Sequence, residues 1–396
     1  MHTKIAVILG DGMADYPDSN GLTPLMRAYK PNTDALCARS ETGLCRTVPV
    51  GMKPGSDTAN LSVMGYDPAK YYTGRSPLEA LSIGIPLKDT DLTYRCNLVT
   101  VSDEPDFADK SMIDYSAGEI STAEADELIK FLAAKLGLEG LLYTGVSYRH
   151  CLVRPFGSPA GSLTPPHDIT GKKLARYMPQ SKDFANMIVA SYDLLKKHPI
   201  NAARVAAGKR PANSMWLWGE GRKPALDDFH KKFGITGAVI SAVDLIKGIG
   251  IGAGMDSVDV EGATGTIDTN FDGKAAAAVA ALKTHDMVYV HLEAPDECGH
   301  QGDAAGKVRS IELIDEKIVG PISRYLAGTG AHYRILIMPD HATPLSVKTH
   351  VADPVPYLLY DSAVQTVGTA SYNETAAAQT GNFIEQAHTL MTRLSS

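Results

Sequence analysis

Cysteine is scarce and scattered in this chain. There are five in 396 residues, Cys37, Cys45, Cys96, Cys151 and Cys298, an odd number with no C-x-x-C pair. That spacing argues against a disulfide framework and a thiolate zinc site, and it suits a reducing cytoplasm. Long hydrophobic runs are also missing. No stretch approaches the ~18–20 apolar residues needed to span a bilayer. The first apolar run, Ile5–Leu9, meets Asp11 too early for the core of an export signal. The expectation is a cytoplasmic protein without a membrane partner. Positive charge is not in excess: the formal net charge is −7, which argues against a non-specific nucleic-acid binder and still allows a local basic pocket. No G-x-x-x-x-G-K-[ST] stretch occurs, so a P-loop nucleotide site is not expected.

What is present is the pattern of an α/β protein. Strand-like runs at Lys4–Leu9, Ser214–Leu217, Ala238–Ser241, Met287–Leu292 and Ile335–Met338 alternate with helix-like stretches at Asp272–Thr284 and Asp303–Leu326. In the latter, Val308, Ile311, Ile314 and Ile318 recur at helical spacing. This rhythm implies βαβ units and a parallel sheet. The middle of the chain reads differently. Ser121 and Glu124 form a capping box ahead of Leu128–Leu136, with Gly137 as its stop. A second helix over Asp183–Lys197 halts before Pro199, and a Pro/Gly/Ser-rich loop, Arg154–Gly171, lies between the two. Residues 96–200 are therefore expected to form an inserted cap, which splits the main domain into 1–95 and 201–396.

Three of the strand-like runs end on acids and imidazoles. Ile5–Leu9 leads to Gly10-Asp11-Gly12. Met287–Leu292 leads to Asp296 and His300, and Arg334–Pro339 leads to Asp340-His341. The carboxyl ends of strands in open α/β sheets are where ligands bind. Asp296 and His300, four apart, would share one face of a helical turn, and a loop could return His350 to the same end. Each Asp alone could be a helix cap. Together they form oxygen/nitrogen donor sets without sulfur, suited to two divalent ions, Mn²⁺ or Zn²⁺, with Mg²⁺ possible at the oxygen-rich set. Pro54-Gly55-Ser56-Asp57 places a hydroxyl at a loop-to-helix junction. There it is either an N-cap or a metal-activated nucleophile whose helix N-terminus favours phosphate.

These motifs resemble the archaeal-type, cofactor-independent (2,3-bisphosphoglycerate-independent) phosphoglycerate mutases of the alkaline phosphatase superfamily. Further matching segments are Gly65-Tyr66-Asp67-Pro68, Tyr72-Thr73-Gly74-Arg75, Arg95-Cys96-Asn97 and Ala294-Pro295-Asp296-Glu297. The resemblance runs in order from residue 4 to about residue 360 and implies an alkaline-phosphatase-like, mostly parallel sheet flanked by helices, with an inserted α+β cap. It implies that Ser56 accepts the phosphoryl group, that Asp11, Ser56, Asp340 and His341 hold one metal, and that Asp296, His300 and His350 hold the other. It also implies a small phosphorylated substrate. A phosphate plus a carboxylate call for cations with fork geometry, for which Arg75, Arg95, Arg149 and Lys247 are the candidates, with His167 and Asp168 as polar partners.

Met112–Gly118 and Asn213–Gly221, which holds both tryptophans, look more like a bacterial branch proposed to phosphorylate homoserine. That alternative keeps the metals and Ser56 and adds an acid for the ammonium group, Asp114, Asp168 or Glu220. A phosphomonoesterase is the third reading.

Overall fold

The computed structural model describes residues 3–396. By internal contacts the chain divides into one unit of Met1–Tyr72 with Ala225–Ser396 and a second of Thr73–Pro224. In chain order the strands are β1 (Lys4–Gly10), β2 (Glu41–Cys45), β3 (Leu92–Val101), β4 (Met112–Asp114), β5 (Leu142–Tyr143), β6 (Arg149–Arg154), β7 (Ser214–Arg222), β8 (Gly237–Ile240), β9 (Asp256–Val258), β10 (Met287–Leu292), β11 (Tyr333–Met338), β12 (Val355–Asp361) and β13 (Phe383–Ile384).

The first unit carries an eight-stranded sheet ordered β13-β2-β12-β11-β1-β10-β8-β9. β1 sits between β10 and β11, parallel to both. β8 and β9 extend the parallel part, whereas β12 runs antiparallel to both of its neighbours, β11 and β2. Ile5–Leu9 are completely buried, as a strand covered on both faces requires. Each large aliphatic there contributes roughly 1.5–3 kcal/mol of burial. Ala6, Ile8, Val288 and Val290 join the core beneath the helices Phe271–Thr284 and Ala304–Ile314. Their alternates, Tyr289 and His291, face the other way, because side chains along a strand alternate.

The expected single helix over 303–326 is instead Ala304–Ile314, a π-helical turn at Asp315–Val319, then Gly320–Gly328. The turn brings buried Asp315 against the start of the Pro31–Cys37 helix. There it accepts from the backbone N–H groups of Asn32 and Thr33 and from both of their side chains. An unpaired helix N-terminus is thereby satisfied.

The second unit is built on β3, which pairs antiparallel with β4, β6 and β7. It packs against the helices Thr122–Leu136 and Lys182–Leu195. Ser121 caps the first of these by accepting from the Glu124 N–H and donating to its carboxylate. The 214–217 segment, expected in the main sheet, belongs here. β7 does not turn at Gly219-Glu220-Gly221 but runs through it to Arg222, with a register shift opposite Thr93–Arg95. The strand pair β3/β7 makes this unit wider than the 96–200 expected.

All five cysteines are buried and unpaired. Among the described residues no helix is long and apolar enough to cross a membrane.

Candidate active site

In the first unit the carboxyl ends of β1, β10 and β11 bring together Asp11, Asp296 and the Asp340-His341 pair. Ser56 begins the helix Ser56–Val63. Its Oγ lies 3.2 Å from His341 Nε2 and 3.5 Å from Asp11 Oδ2. Neither Ser56 nor Asp57 is the N-cap of that helix; Gly55 is. Asp296 and His300 lie on the short helix Ala294–Gln301, with His300 Nε2 3.2 Å from Asp296 Oδ2. The segment after β11 folds back through paired backbone at Ala342 and Val351. His350 Nε2 thereby comes within 3.0 Å of His300 Nε2 and 3.5 Å of Asp296 Oδ1.

Two donor clusters result. The ligand atoms of Asp11, Asp340 and His341 lie within 4.8 Å of one another, and so do those of Asp296, His341 and His350. His341 stands between the clusters, its ring 4.0 Å from that of His350.

The electrostatics fit cations. Burial, then the neighbouring charges of Asp340, Asp296 and Glu293, pushes the Asp11 carboxyl well above the usual range. Its Oδ1 is buried with no hydrogen-bond partner among the described residues, an arrangement that costs free energy unless something positive compensates. At the other cluster, burial works against the Asp296 charge, but hydrogen bonds from His300 and His350 hold its carboxyl well below the usual range. His300 is raised in turn to about 9 by its bond to Asp296. A carboxylate with two convergent imidazoles and no sulfur is the donor chemistry of a borderline or hard divalent ion.

A second layer, absent from the sequence reading, holds these ligands. Asn60, one helical turn after Ser56, donates to Asp340 Oδ2 at 2.9 Å and to the Ser56 carbonyl at 2.9 Å. Its own oxygen accepts from the Tyr289 hydroxyl at 2.7 Å, which fixes the amide's orientation. His291 Nε2 lies 2.9 Å from Asp11 Oδ2, and its Nδ1 lies 3.2 Å from Ser241 Oγ. Burial lowers the His291 imidazole to about 4. The signal available in the sequence was alternation: Tyr289 and His291 are polar-tipped residues two apart in an otherwise apolar strand. Lys307, fully buried, donates to Asp15 and to the carbonyls of Ala14 and Thr343. It thus straps the loop after β1 to the loop after β11.

The second unit holds its own cluster. Glu79 accepts from Arg75 Nε and from Arg95 Nε, each at 2.8 Å. The Arg95 guanidinium stacks 4.0 Å from the Trp218 ring, and burial lowers it to about 10. Burial opposes the Glu79 charge, yet the charges of Arg95, Arg75 and Arg149 hold its carboxyl below the usual range. His167 meets Trp218 and Tyr115 edge-on. Asp168 lies beside it on the surface, 3.6 Å from its Nε2. Trp216, by contrast, is a core residue with its N–H on the Thr164 carbonyl. Lys247 belongs to the first unit and pairs with Asp259 at 2.6 Å.

Residues 37–201 match the family model described as 2,3-bisphosphoglycerate-independent phosphoglycerate mutase. The chain is 50% identical over 366 residues to the Methanosarcina acetivorans protein of that name, covering 90% of each. A solved structure of a Pyrococcus horikoshii protein aligns over 100% of this chain and 98% of its own, at 30% identity and a TM-score of 0.80. The cofactor-independent phosphoglycerate mutase of Thermoplasma acidophilum aligns over 100% and 99% at 25% identity, with a TM-score of 0.64.

Proposed function

This chain belongs to the 2,3-bisphosphoglycerate-independent phosphoglycerate mutase family, and from that premise we propose that it interconverts 2- and 3-phosphoglycerate through a phosphoserine at Ser56. The observation that carries the reading is the Ser56 hydroxyl, at a helix start and within 3.5 Å of both Asp11 and His341.

Asp11, Ser56, Asp340 and His341 would hold one divalent ion, and Asp296, His300 and His350 the other. Bound there, Mn²⁺ or Zn²⁺, or Mg²⁺ at the oxygen-rich cluster, would lower the hydroxyl's pKa and neutralise phosphoryl charge. Ser56 Oγ bonds to phosphorus as the bond from phosphorus to the glycerate oxygen breaks, and the net proton lost by the Ser56 hydroxyl passes to the departing glycerate oxygen. The new phosphate then lies over the first N–H groups of the Ser56–Val63 helix, which favour an anion. The other glycerate hydroxyl attacks in turn and releases Ser56. Positioning and charge complementarity supply most of the catalysis in such transfers.

Arg75, Arg95 and Arg149, with His167, are the groups we assign to the substrate's anionic ends. Glu79 holds two of these guanidiniums by Nε, so each is aimed before substrate arrives. The homoserine reading needs an acid for an ammonium group. Asp114, however, is committed to the N–H groups of Ser116 and Gly118 and to Arg210, and Glu220 to the Ala160 N–H.

The test is a ³¹P NMR time course on Mn²⁺-loaded protein with 3-phosphoglycerate. Appearance of 2-phosphoglycerate, lost in Ser56→Ala while two Mn²⁺ stay bound, supports the proposal. Turnover in Ser56→Ala removes the covalent step. Transfer from ATP to homoserine without isomerisation replaces the mutase.

A further inference from the structure

Thr343 lies two residues beyond His341 and is completely buried. Its hydroxyl donates to Asp296 Oδ1, assigned above to one ion, and lies 3.2 Å from Nδ1 of His341, assigned to the other. A hydroxyl has one proton. Because that proton goes to the carboxylate, which cannot donate back, the oxygen accepts from His341, and Nδ1 must carry a hydrogen. The other ring nitrogen, Nε2, faces Ser56 Oγ at 3.2 Å and the carboxylates of Asp11 and Asp340 at 3.5 and 3.4 Å.

The surroundings leave the hydroxyl little freedom. The Thr343 carbonyl accepts from buried Lys307 and its N–H donates to the Ala14 carbonyl. Two glycines open the space around it. A Cβ on Gly12 would lie 2.6 Å from both Asp296 Oδ1 and Thr343 Oγ1. A Cβ on Gly299 would lie 2.6 Å from the Thr343 carbonyl and 2.9 Å from its methyl.

We infer that Thr343 is a positioning residue that joins the two divalent-cation clusters through the chain His341 Nδ1–H, Thr343 Oγ–H, Asp296 Oδ1. It sets the His341 tautomer and fixes the rotation of Asp296 at the same time. A metal-bound imidazole whose second nitrogen is anchored through a hydroxyl to a carboxylate is a variant of the carboxylate–histidine pairing that tunes ligand basicity. Here the anchoring carboxylate is itself a ligand candidate of the neighbouring cluster, so a change at one cluster reaches the other. The inference rests on the two-ion reading of the site.

The experiment is calorimetric titration of Mn²⁺ into metal-free protein, for wild type, Thr343→Val and Thr343→Ser, with the histidine tautomers read by ¹⁵N NMR. Valine keeps the shape and removes the relay; serine keeps the relay and removes the methyl. Valine is expected to weaken Mn²⁺ binding about 10–100-fold, at both sites, and to abolish the Nδ1–H signature of His341. Serine is expected to restore both. Unchanged affinities in the valine variant overturn the inference, and so does an equal loss in valine and serine, which would assign the effect to methyl packing on Gly299. If the valine variant does not fold, the wild-type spectrum decides: a metal-free His341 protonated at Nε2 alone overturns it. A wild type that binds no Mn²⁺ would instead remove the two-ion reading itself.

Discussion

Gly12→Ala tests the packing of the site at one atom. Gly12 sits at φ +60 in the turn after β1, and its N–H donates to Asp340 Oδ1 at 3.1 Å. An alanine Cβ would stand 2.6 Å from Asp296 Oδ1, 2.6 Å from Thr343 Oγ1 and 2.7 Å from Asp296 Cα. The left-handed backbone costs a side chain roughly 1–2 kcal/mol, and overpacking a tight interior costs typically 1–3 kcal/mol more. The variant should therefore lose roughly 2–5 kcal/mol, a large share of a domain's usual 5–15 kcal/mol. Gly21 is the control, because it has φ +75 and nothing within 4 Å of its Cβ position. Gly21→Ala should show the backbone cost alone, so the difference between the two isolates the clash. Both tryptophans lie in the second unit, so fluorescence would miss the event. Hydrogen exchange of the β1 amides in metal-free protein reads it directly. Gly12→Ala should also weaken Mn²⁺ binding, because Asp296 must move. If Gly12→Ala costs no more than Gly21→Ala, or binds Mn²⁺ like wild type, the argument from crowding fails.

Tyr289→Phe removes the bond to Asn60 and leaves a buried amide oxygen unpaired. It should cost about 1–3 kcal/mol and weaken Mn²⁺ binding about tenfold or more, measured by denaturation of the first unit and by calorimetry; an unchanged affinity would show that Asp340 needs no aimed partner. In the second unit, His150 is buried, accepts from the Gly145 N–H and has no partner at Nε2, and burial lowers its imidazole to about 3. The folded state then binds fewer protons than the unfolded state between pH 6.5 and about 3, so stability is intact above pH 6.5 and falls as pH drops through that window, by at most about 1.4 kcal/mol per unit. Tryptophan-monitored urea unfolding should show this slope in wild type and a shallower one in His150→Gln; parallel slopes would assign the acid sensitivity elsewhere.

How far the sequence could be read depended on the range of the interaction. The ligand candidates were legible because each follows an apolar run within a few residues, so one local pattern gives both the strand and the acid at its end. Asp296 and His300 needed only the helical period. The layer behind them was not legible. Asn60 matters because it meets Asp340 and Tyr289, more than 200 residues away, and Thr343 because of Asp296; no window of sequence holds both partners. Strand ownership failed for a related reason. Ser214–Leu217 reads as one more strand in a βαβ rhythm, and only its pairing with β3 assigns it to the other sheet. Gly219-Glu220-Gly221 reads as a turn, yet β3 supplies a partner that carries the strand through it with a shifted register. The interruption at Asp315 was hidden because the demand for it comes from another helix's unpaired N–H groups.

The place of β1 in the sheet has a consequence for biosynthesis. It precedes the other strands of its sheet in chain order and lies inside that sheet, and both neighbours, β10 and β11, come from the last third of the sequence. About 280 residues must be added before β10 exists, which at roughly 5–20 residues per second takes about 14–56 s. Throughout that interval a strand whose five central residues are completely buried in the finished protein has no partner on either edge. The second unit, contiguous from Thr73 to Pro224, is fully synthesised well before then. The nascent chain thus carries an unsatisfied apolar segment throughout that interval. Chaperone occupancy of residues 4–10 should persist until β10 emerges, and the cation clusters cannot assemble before His350 has been made.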